Sequence, residues 1–209
     1  NTIDWDSWFY SPGMPPESLS FDHSLAEASE KLAKAWVAYD QADAALPTSN
    51  IDSWSSQQTV CFLDNLMSLT ASQPLQVSTL AKMNEAYNFA QSQNAEILFR
   101  FCQVSNASED ESMQMVIMHF ISSLGRMKYV RPLYRALYAS KMGKSMATYT
   151  FLTNKDFYHP ICAKMIASDL MLSKNRSSRT VSMRTASLGV LAAVAFSLGA
   201  LYLRRRVFL

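Results

Sequence analysis

Apolar residues recur at three- and four-residue spacing along most of the chain, and this spacing is typical of amphipathic α-helices. The first clear run begins at Ser24, where Ser24 and Glu27 can form a capping box ahead of an apolar stripe that includes Leu32 and Trp36. Further runs, most of them separated by proline or glycine, predict helices at about 56–70, 77–87, 95–104, 109–124, 132–140, 144–153 and 160–172. The sequence therefore predicts a body made almost entirely of short helices.

Loop length and composition agree with an all-α fold class. Only five glycines and seven prolines occur in 209 residues, too few for an all-β protein with many tight turns. Short helices joined by short loops favour neighbours that stack antiparallel into an α–α superhelix. With 49% hydrophobic and 17% charged residues, the chain is apolar enough to bury a core.

The two ends of the chain differ from this helical body. Residues 1–22 carry acids, scattered aromatics and three prolines, and we interpret them as an extended linker that follows another domain. Residues 23–173 are predicted to form the helical domain. Residues 174–185 are polar and basic, which is typical of a second linker.

A transmembrane tail anchor is predicted at the C-terminus. Residues 186–203 carry no charge over 18 positions, and as a helix they would span about 27 Å, close to the roughly 30 Å core of a bilayer. The linker before this segment and the tail 204–209 after it are both basic, so charge does not fix its orientation. The alternative is a buried helix, because many of these residues are small. We expect a cytoplasmic-facing protein held at a membrane, or a cytoplasmic one if the segment is buried.

Charge is divided unevenly along the chain. Residues 1–111 carry a net charge of −11 and residues 112–209 a net charge of +13, and no acid occurs from Ser112 to Lys155. Such asymmetry indicates that the second half meets an anion, which could be nucleic acid, a lipid headgroup or an acidic ligand. Docking of the basic half against the acidic half explains it equally well. Nucleic-acid binding is not favoured, because no recognition motif accompanies the charge.

Residue types that usually carry catalysis are sparse. The cysteines Cys61, Cys102 and Cys162 stand alone in apolar runs and are expected to be buried free thiols. The three histidines are far apart and none belongs to an HExxH motif, so local spacing yields no zinc site. There is no GxSxG motif and no phosphate-binding glycine loop. We expect no catalytic residue, metal or cofactor site in this chain.

One pair of cations offers candidate binding chemistry, in the stretch GRMKYVRPLYRAL that begins at Gly125. Gly125 is expected to end one helix and Pro132 to start the next, which predicts an extended connector between them. Side chains at i and i+2 of an extended chain point to the same side, so Arg126 and Lys128 would be aimed together. An arginine fork beside a lysine suits a carboxylate. The alternative is ordinary solvated surface charge.

Four blocks of sequence resemble a known family of zinc enzymes. IDWDSWFYSPGMPP, MNEAYNFAQSQNAEILFRFCQV, GRMKYVRPLYRAL and YHPICAKMIASDL are similar to the C-terminal domain of the leukotriene A4 hydrolase and aminopeptidase B family, which are M1 aminopeptidases. The similarity covers Ile3 to Leu170, and the blocks agree in order and spacing. The GRMK motif places the chain nearer to the leukotriene A4 hydrolase branch. The tail 174–209 departs from the family pattern.

The resemblance implies an armadillo- or HEAT-like superhelix that follows a catalytic domain and closes the far end of its substrate cleft. It also implies that Arg126 and Lys128 bind the carboxylate of a peptide or fatty-acid-like substrate. Zinc and its HExxH ligands would belong to the catalytic domain, which this sequence lacks, so the chain alone is expected to be inactive. The expected partners are that domain, the substrate and a membrane. Whether epoxide hydrolysis accompanies peptide hydrolysis is left open.

A second hypothesis belongs to a different class, a non-catalytic helical scaffold or adaptor tethered to a membrane. On this hypothesis the basic half would bind an acidic partner or lipid headgroups. An upstream HExxH motif would favour the enzyme, whereas an initiating Met just before Asn1 would favour the scaffold.

Overall fold

Helices form all the regular structure in the part of the chain that the computed structural model describes, residues 4–14, 22–42 and 44–172. These residues contain nine α-helices, two short 3-10 turns and no strand, so the predicted all-α class is confirmed. The helices are α1 (Trp5–Tyr10), α2 (Ser24–Ala42), α3 (Ser56–Leu69), α4 (Val77–Tyr87), α5 (Ala95–Ala107), α6 (Gln114–Ser123), α7 (Met127–Ala139), α8 (Gly143–Asn154) and α9 (Pro160–Asp169).

The apolar stripes of α2 to α9 face the core, whereas α1 buries no residue. α2 packs on α3, α3 on α5, α5 on α7, and α7 on both α8 and α9. The largest side chains in this core are fully buried, among them Trp36, Phe62, Phe101, Leu133 and Tyr134. Burial of such side chains stabilises the fold by roughly 1.5–3 kcal/mol each, so the stripes determine which face of each helix turns inward.

Local capping explains where several helices begin. The Asn94 Oδ1 atom accepts the Glu96 backbone N–H at 3.0 Å and caps the start of α5. Pro160 occupies the first turn of α9, where its missing N–H costs nothing. The predicted box of Ser24 and Glu27 is wrong, because Ser24 is already helical and its own N–H bonds to Asp22.

The predicted helix 109–124 is shorter in the structure, because α5 ends with a tight backbone motif. The Asp110 N–H bonds to the Ser105 carbonyl and the Glu109 N–H to the Asn106 carbonyl, with Glu109 in the left-handed region at φ 55°. This is the Schellman arrangement, which usually uses glycine. Ser108 is therefore the C-cap residue of α5, and α6 begins only at Gln114.

The predicted extended connector between Gly125 and Pro132 is also wrong. α6 ends at Ser123, Gly125 does not adopt the left-handed conformation, and α7 begins at Met127, five residues before Pro132. The proline rule is overridden by burial, since Tyr129 in the first turn of α7 is only 4% exposed.

The N-terminal segment contains a helix where the sequence predicted extended chain. α1 is capped by Asp4, whose Oδ1 accepts the Ser7 backbone N–H at 3.2 Å, and its aromatic side chains are exposed. The interpretation of residues 1–22 as a linker stays a prediction. Residues 173–209, with the predicted anchor 186–203, lie outside the described residues. Within the described ranges no helix is both long enough and apolar enough to cross a membrane.

The three cysteines are free, as predicted. Cys102 and Cys162 are buried, and burial raises the pKa of the Cys102 thiol to about 12. Cys61 is only half-buried, so the expectation of three buried thiols is correct for two of them.

Candidate functional site

The two cations predicted to act together lie at the start of α7. Arg126 is the N-cap residue, with extended backbone angles of φ −76° and ψ 115°, and Lys128 is the second residue of the helix. Both side chains are exposed. Their shared orientation cannot come from an extended connector, because Lys128 is already helical and residues at i and i+2 of a helix do not face each other.

The ring of Tyr129 brings the two cations to one place. The Arg126 Cζ atom lies 5.6 Å from the ring centroid and the Lys128 Nζ atom 5.3 Å from it, both within the range of a cation–π contact. The ring itself packs against Phe99, at a centroid distance of 5.3 Å, and Phe120, at 6.0 Å. Both cations therefore contact a ring that belongs to a buried aromatic cluster.

An internal carboxylate, that of Glu96 in the first turn of α5, lies against this pair. Its Oε1 atom forms an ion pair with the Lys128 ammonium group and accepts a 2.7 Å hydrogen bond from the Tyr129 hydroxyl. Its Oε2 atom accepts a 2.7 Å hydrogen bond from the Arg100 Nη1 atom. These three donors lower the pKa of Glu96 to about 2, and Lys128 makes the largest contribution.

Arg100 continues the network toward α3. Its Nε atom donates to the Asp64 Oδ1 atom at 2.7 Å, so ion pairs connect α3, α5 and α7. We call the side chains of Asp64, Glu96, Arg100, Arg126 and Lys128 the charged cluster. Lys128 and Glu96 belong to the basic and acidic halves of the sequence, so part of the charge asymmetry is satisfied inside the fold.

Arg126 differs from the other cations of the charged cluster. No carboxylate within residues 4–14, 22–42 and 44–172 lies within ion-pair distance of its guanidinium group, whereas Lys128 and Arg100 are both paired. An exposed guanidinium stacked on an aromatic ring keeps its bidentate fork available for an anion.

A surface groove of about 330 Å³ lies beside the charged cluster. It runs between the start of α5 and α6, and Phe120, which packs on Tyr129, forms part of its wall. Its other walls include Gln91, Ala95, Leu98, His119 and Leu124. The Phe157 ring packs against Gly125, the residue before Arg126, within about 4 Å of where a Cβ atom would stand.

Sequence reasoning found the two cations and missed Glu96, Arg100 and Tyr129. Glu96 and Arg100 have i,i+4 spacing, which could have indicated an ion pair on α5. No local pattern links Glu96 to Lys128, since 32 positions separate them.

The described residues offer no metal centre. No group of three or more histidine, cysteine, aspartate or glutamate side chains in that part of the chain could hold a metal ion. His119 is exposed in the groove, and the His159 Nδ1 atom accepts the Ile161 N–H at the start of α9. These residues do not fit a zinc site.

Comparison with known proteins identifies the family of this chain. Residues 54–170 match the family described as "Leukotriene A4 hydrolase, C-terminal". The chain is 40% identical over 174 residues to "Leucine aminopeptidase 2" of Coccidioides immitis (strain RS), covering 83% of this chain and 27% of that protein. It is 38% identical over 169 residues to the "Leukotriene A-4 hydrolase homolog" of Botryotinia fuckeliana (strain B05.10), covering 81% and 25%.

Solved structures agree with the sequence comparison. Native yeast LTA4 hydrolase superposes with a TM-score of 0.67 at 30% identity, over 80% of this chain and 29% of that one. The yeast enzyme in complex with bestatin gives a TM-score of 0.64 over 81% and 29%. The chain thus spans about a quarter of the length of the relatives it matches. With more than half of its residues matched to the family, the chain belongs to the leukotriene A4 hydrolase C-terminal family.

Proposed function

We propose that this chain is the C-terminal helical domain of an M1-type zinc aminopeptidase, in which Arg126 and Lys128 bind the terminal carboxylate of the substrate. Family membership supports the enzyme class, and the relatives named leucine aminopeptidase support a peptide substrate. A fatty-acid-like carboxylate is the second substrate class, supported by the relative named as a leukotriene A-4 hydrolase homolog.

The observation that carries the proposal is the placement of Arg126. Its guanidinium is exposed, lies 5.6 Å from the Tyr129 ring centroid, and has no carboxylate partner among the described residues. Charge-assisted, bidentate hydrogen bonds from arginine are among the strongest and most directional contacts to a carboxylate. Lys128 adds a second positive charge beside the same ring.

Within the complete enzyme this chain would bind and orient the substrate. A fixed cation pair at one end of a cleft holds the substrate carboxylate, and so sets how far the reacting bond lies from it. Zinc bound by the catalytic domain, outside this sequence, would polarise the scissile carbonyl group. The groove beside Phe120, which has both apolar and polar walls, would accept part of the substrate.

The architecture belongs to the same proposal. The packing of α3 on α5, α5 on α7 and α7 on α9 supports an armadillo- or HEAT-like superhelix that closes the far end of the cleft. The segment 186–203 would hold this enzyme at a membrane, with the domain facing the cytoplasm.

The test is a comparison of two substrates in the full-length enzyme. For a tripeptide with a free C-terminus, Arg126→Ala should lower kcat/KM by about 10- to 100-fold, since a charged hydrogen bond contributes about 1.5–3 kcal/mol. For the same tripeptide with an amidated C-terminus, the loss should be small. Arg135→Ala is the matched control, because it removes an exposed arginine from the same helix outside the charged cluster.

Equal losses on the two substrates would contradict carboxylate binding by Arg126. The upstream reading frame tests the enzyme class separately. An HExxH motif followed by a glutamate ligand supports it, whereas an initiating Met just before Asn1 would support the scaffold hypothesis instead.

A further inference from the structure

We propose that Glu96 makes the charged cluster selective for a substrate end with a single carboxylate, against an end that carries two negative charges. The inference rests on the proposed function, because it assigns the substrate class of the same site. It concerns a residue that touches Lys128 rather than the reacting bond.

The first step is that the Glu96 carboxylate is fixed in place. Its two oxygens accept from Lys128, Tyr129 and Arg100, and Arg100 is held in turn by Asp64. The Tyr129 ring is buried, so its hydroxyl keeps its position and its bond to Glu96 even if the flexible Lys128 side chain moves. Glu96 therefore stays beside the cations as a permanent negative charge, and its low pKa keeps it ionised throughout the physiological range.

The second step is the charge balance of the charged cluster. It holds three cations and two anions, so its net charge is one positive charge. Of the three cations, only Arg126 lacks a partner carboxylate among the described residues. One substrate carboxylate would neutralise that charge. A second negative charge on the same substrate end would find no unneutralised cation within the charged cluster and would lie in the repulsive field of Glu96.

The third step is that Lys128 can contact a substrate without releasing Glu96. A lysine ammonium group has three donors, and the structure assigns one of them to Glu96 Oε1. The Lys128 side chain is 48% exposed, so its other donors are accessible to a ligand. Glu96 thus orients Lys128 while it limits the net charge that Lys128 offers.

The experiment uses the full-length enzyme and two nearly isosteric tripeptides, one ending in asparagine and one in aspartate. These differ by one carboxylate at the substrate end. The wild-type enzyme should prefer the peptide ending in asparagine. Glu96→Gln keeps the size of the side chain and removes its charge, and should lower the ratio of the two kcat/KM values about three- to tenfold, the size expected for one charge a few ångströms away in a high effective dielectric.

Glu30→Gln is the matched control. It also removes one acidic charge and one ion pair, with Lys34, but on α2 and outside the charged cluster. Its specificity ratio should equal that of the wild-type enzyme. The ratio of the dissociation constants of the two peptides should also be measured with zinc-free enzyme. Glu96→Gln should change it in the same direction, because binding does not depend on the catalytic step.

Asp64→Asn provides a second variant in case Glu96→Gln fails to fold. The Asp64 side chain is 51% exposed, and its loss should shift the ratio in the same direction by a smaller factor. An unchanged ratio in Glu96→Gln, or in Asp64→Asn if the first variant does not fold, overturns the inference.

The two proposals fail in different ways. A wild-type enzyme that hydrolyses free and amidated peptides equally well contradicts the proposed function, and the selectivity of Glu96 with it. A wild-type enzyme that requires the free carboxylate, but whose specificity ratio does not respond to Glu96→Gln, contradicts this inference alone.

Discussion

The Tyr129 hydroxyl donates a 2.7 Å hydrogen bond to the Glu96 Oε1 atom, across 33 positions of sequence. The bond joins the first turn of α7 to the first turn of α5, and the Tyr129 ring at the same time contacts both exposed cations. Because the hydroxyl hydrogen-bonds to Glu96, the pKa of Tyr129 is raised. One side chain therefore links the buried core to the charged cluster.

Tyr129→Phe should destabilise the protein by about 1–2 kcal/mol, since it removes a hydrogen bond to a charged acceptor and leaves the ring packing intact. Urea unfolding measures the change. Tyr10→Phe is the control, because Tyr10 is 81% exposed on α1. Equal stability of Tyr129→Phe and the wild-type protein would show that the hydroxyl contributes nothing to the fold.

The Glu96 network should weaken in acid over a defined range. The folded pKa of Glu96 is about 2, below its ordinary value of 4.5, so folding favours the ionised carboxylate. Its contribution to stability is fully present above about pH 4.5 and is lost as the pH falls toward 2. The difference in unfolding free energy between wild type and Glu96→Gln should shrink over that range.

Lys128→Gln checks the cause of this pH dependence. Lys128 makes the largest contribution to the lowered pKa, so its removal should raise the Glu96 pKa and move the loss of stability to higher pH. Carboxyl carbon NMR can follow the titration directly. A Glu96 resonance that titrates at its ordinary pKa in the wild-type protein would contradict the network.

Removing the hydroxyl group of Tyr158 should destabilise the fold more than removing that of Tyr134, although both tyrosines are buried. The Tyr158 hydroxyl donates to the Ile121 carbonyl at 2.7 Å, so in its 2.9 Å contact with Tyr134 it is the acceptor. Tyr158→Phe leaves two buried partners unsatisfied and should cost about 1–3 kcal/mol, whereas Tyr134→Phe leaves Tyr158 still bonded and should cost less. Urea unfolding of the two variants gives the order, and the reverse order would contradict this assignment of donors.

Arg131 should not be replaceable by lysine. Its Nε and Nη2 atoms contact the two oxygens of Asp169, at 2.6 and 3.2 Å, and this fork joins α7 to α9. A lysine cannot reproduce the bidentate geometry, so Arg131→Lys should cost about 1 kcal/mol, measured by thermal or urea unfolding. Arg135→Lys, at an exposed position of α7, is the control and should be neutral.

The segment 186–203 is predicted to anchor the protein in a membrane. The full-length chain should stay with the membrane fraction after carbonate extraction, and a chain lacking 186–203 should be released, because 18 uncharged residues can cross a bilayer core as a helix. Release of the full-length chain would contradict the anchor.

The helix boundaries that were predicted best are those where local signals and packing agree, as in α3, which the Ser55 side chain caps. α3, α4 and α8 lie close to their predicted ranges, because the spacing of their apolar residues matches the face that the core covers. The errors lie where a local rule competed with burial. Pro132 indicated a helix start, yet the fully buried Val130 and the nearly buried Tyr129 extend the helix before it.

Some residues of the candidate site could be predicted from the sequence and others could not. Arg126 and Lys128 could be found because they are neighbours in sequence and share a recognisable motif. Glu96 could not be assigned to them from spacing, because its contact with Lys128 exists only after α5 packs on α7. No extended connector pairs the two cations; the Tyr129 ring brings them together instead.

Pro132, inside α7, weakens the backbone hydrogen bonding of the turn that carries Lys128. Pro132 has no N–H, so the carbonyl oxygen of Lys128 lacks the helical hydrogen bond that residue 132 would otherwise donate. The turn that carries Lys128 therefore depends more on its side chains, through the Tyr129 ring and Glu96, than on its backbone ladder. An isolated peptide of the GRMK sequence would lose the arrangement, since this motif has its shape only when another helix lies against it.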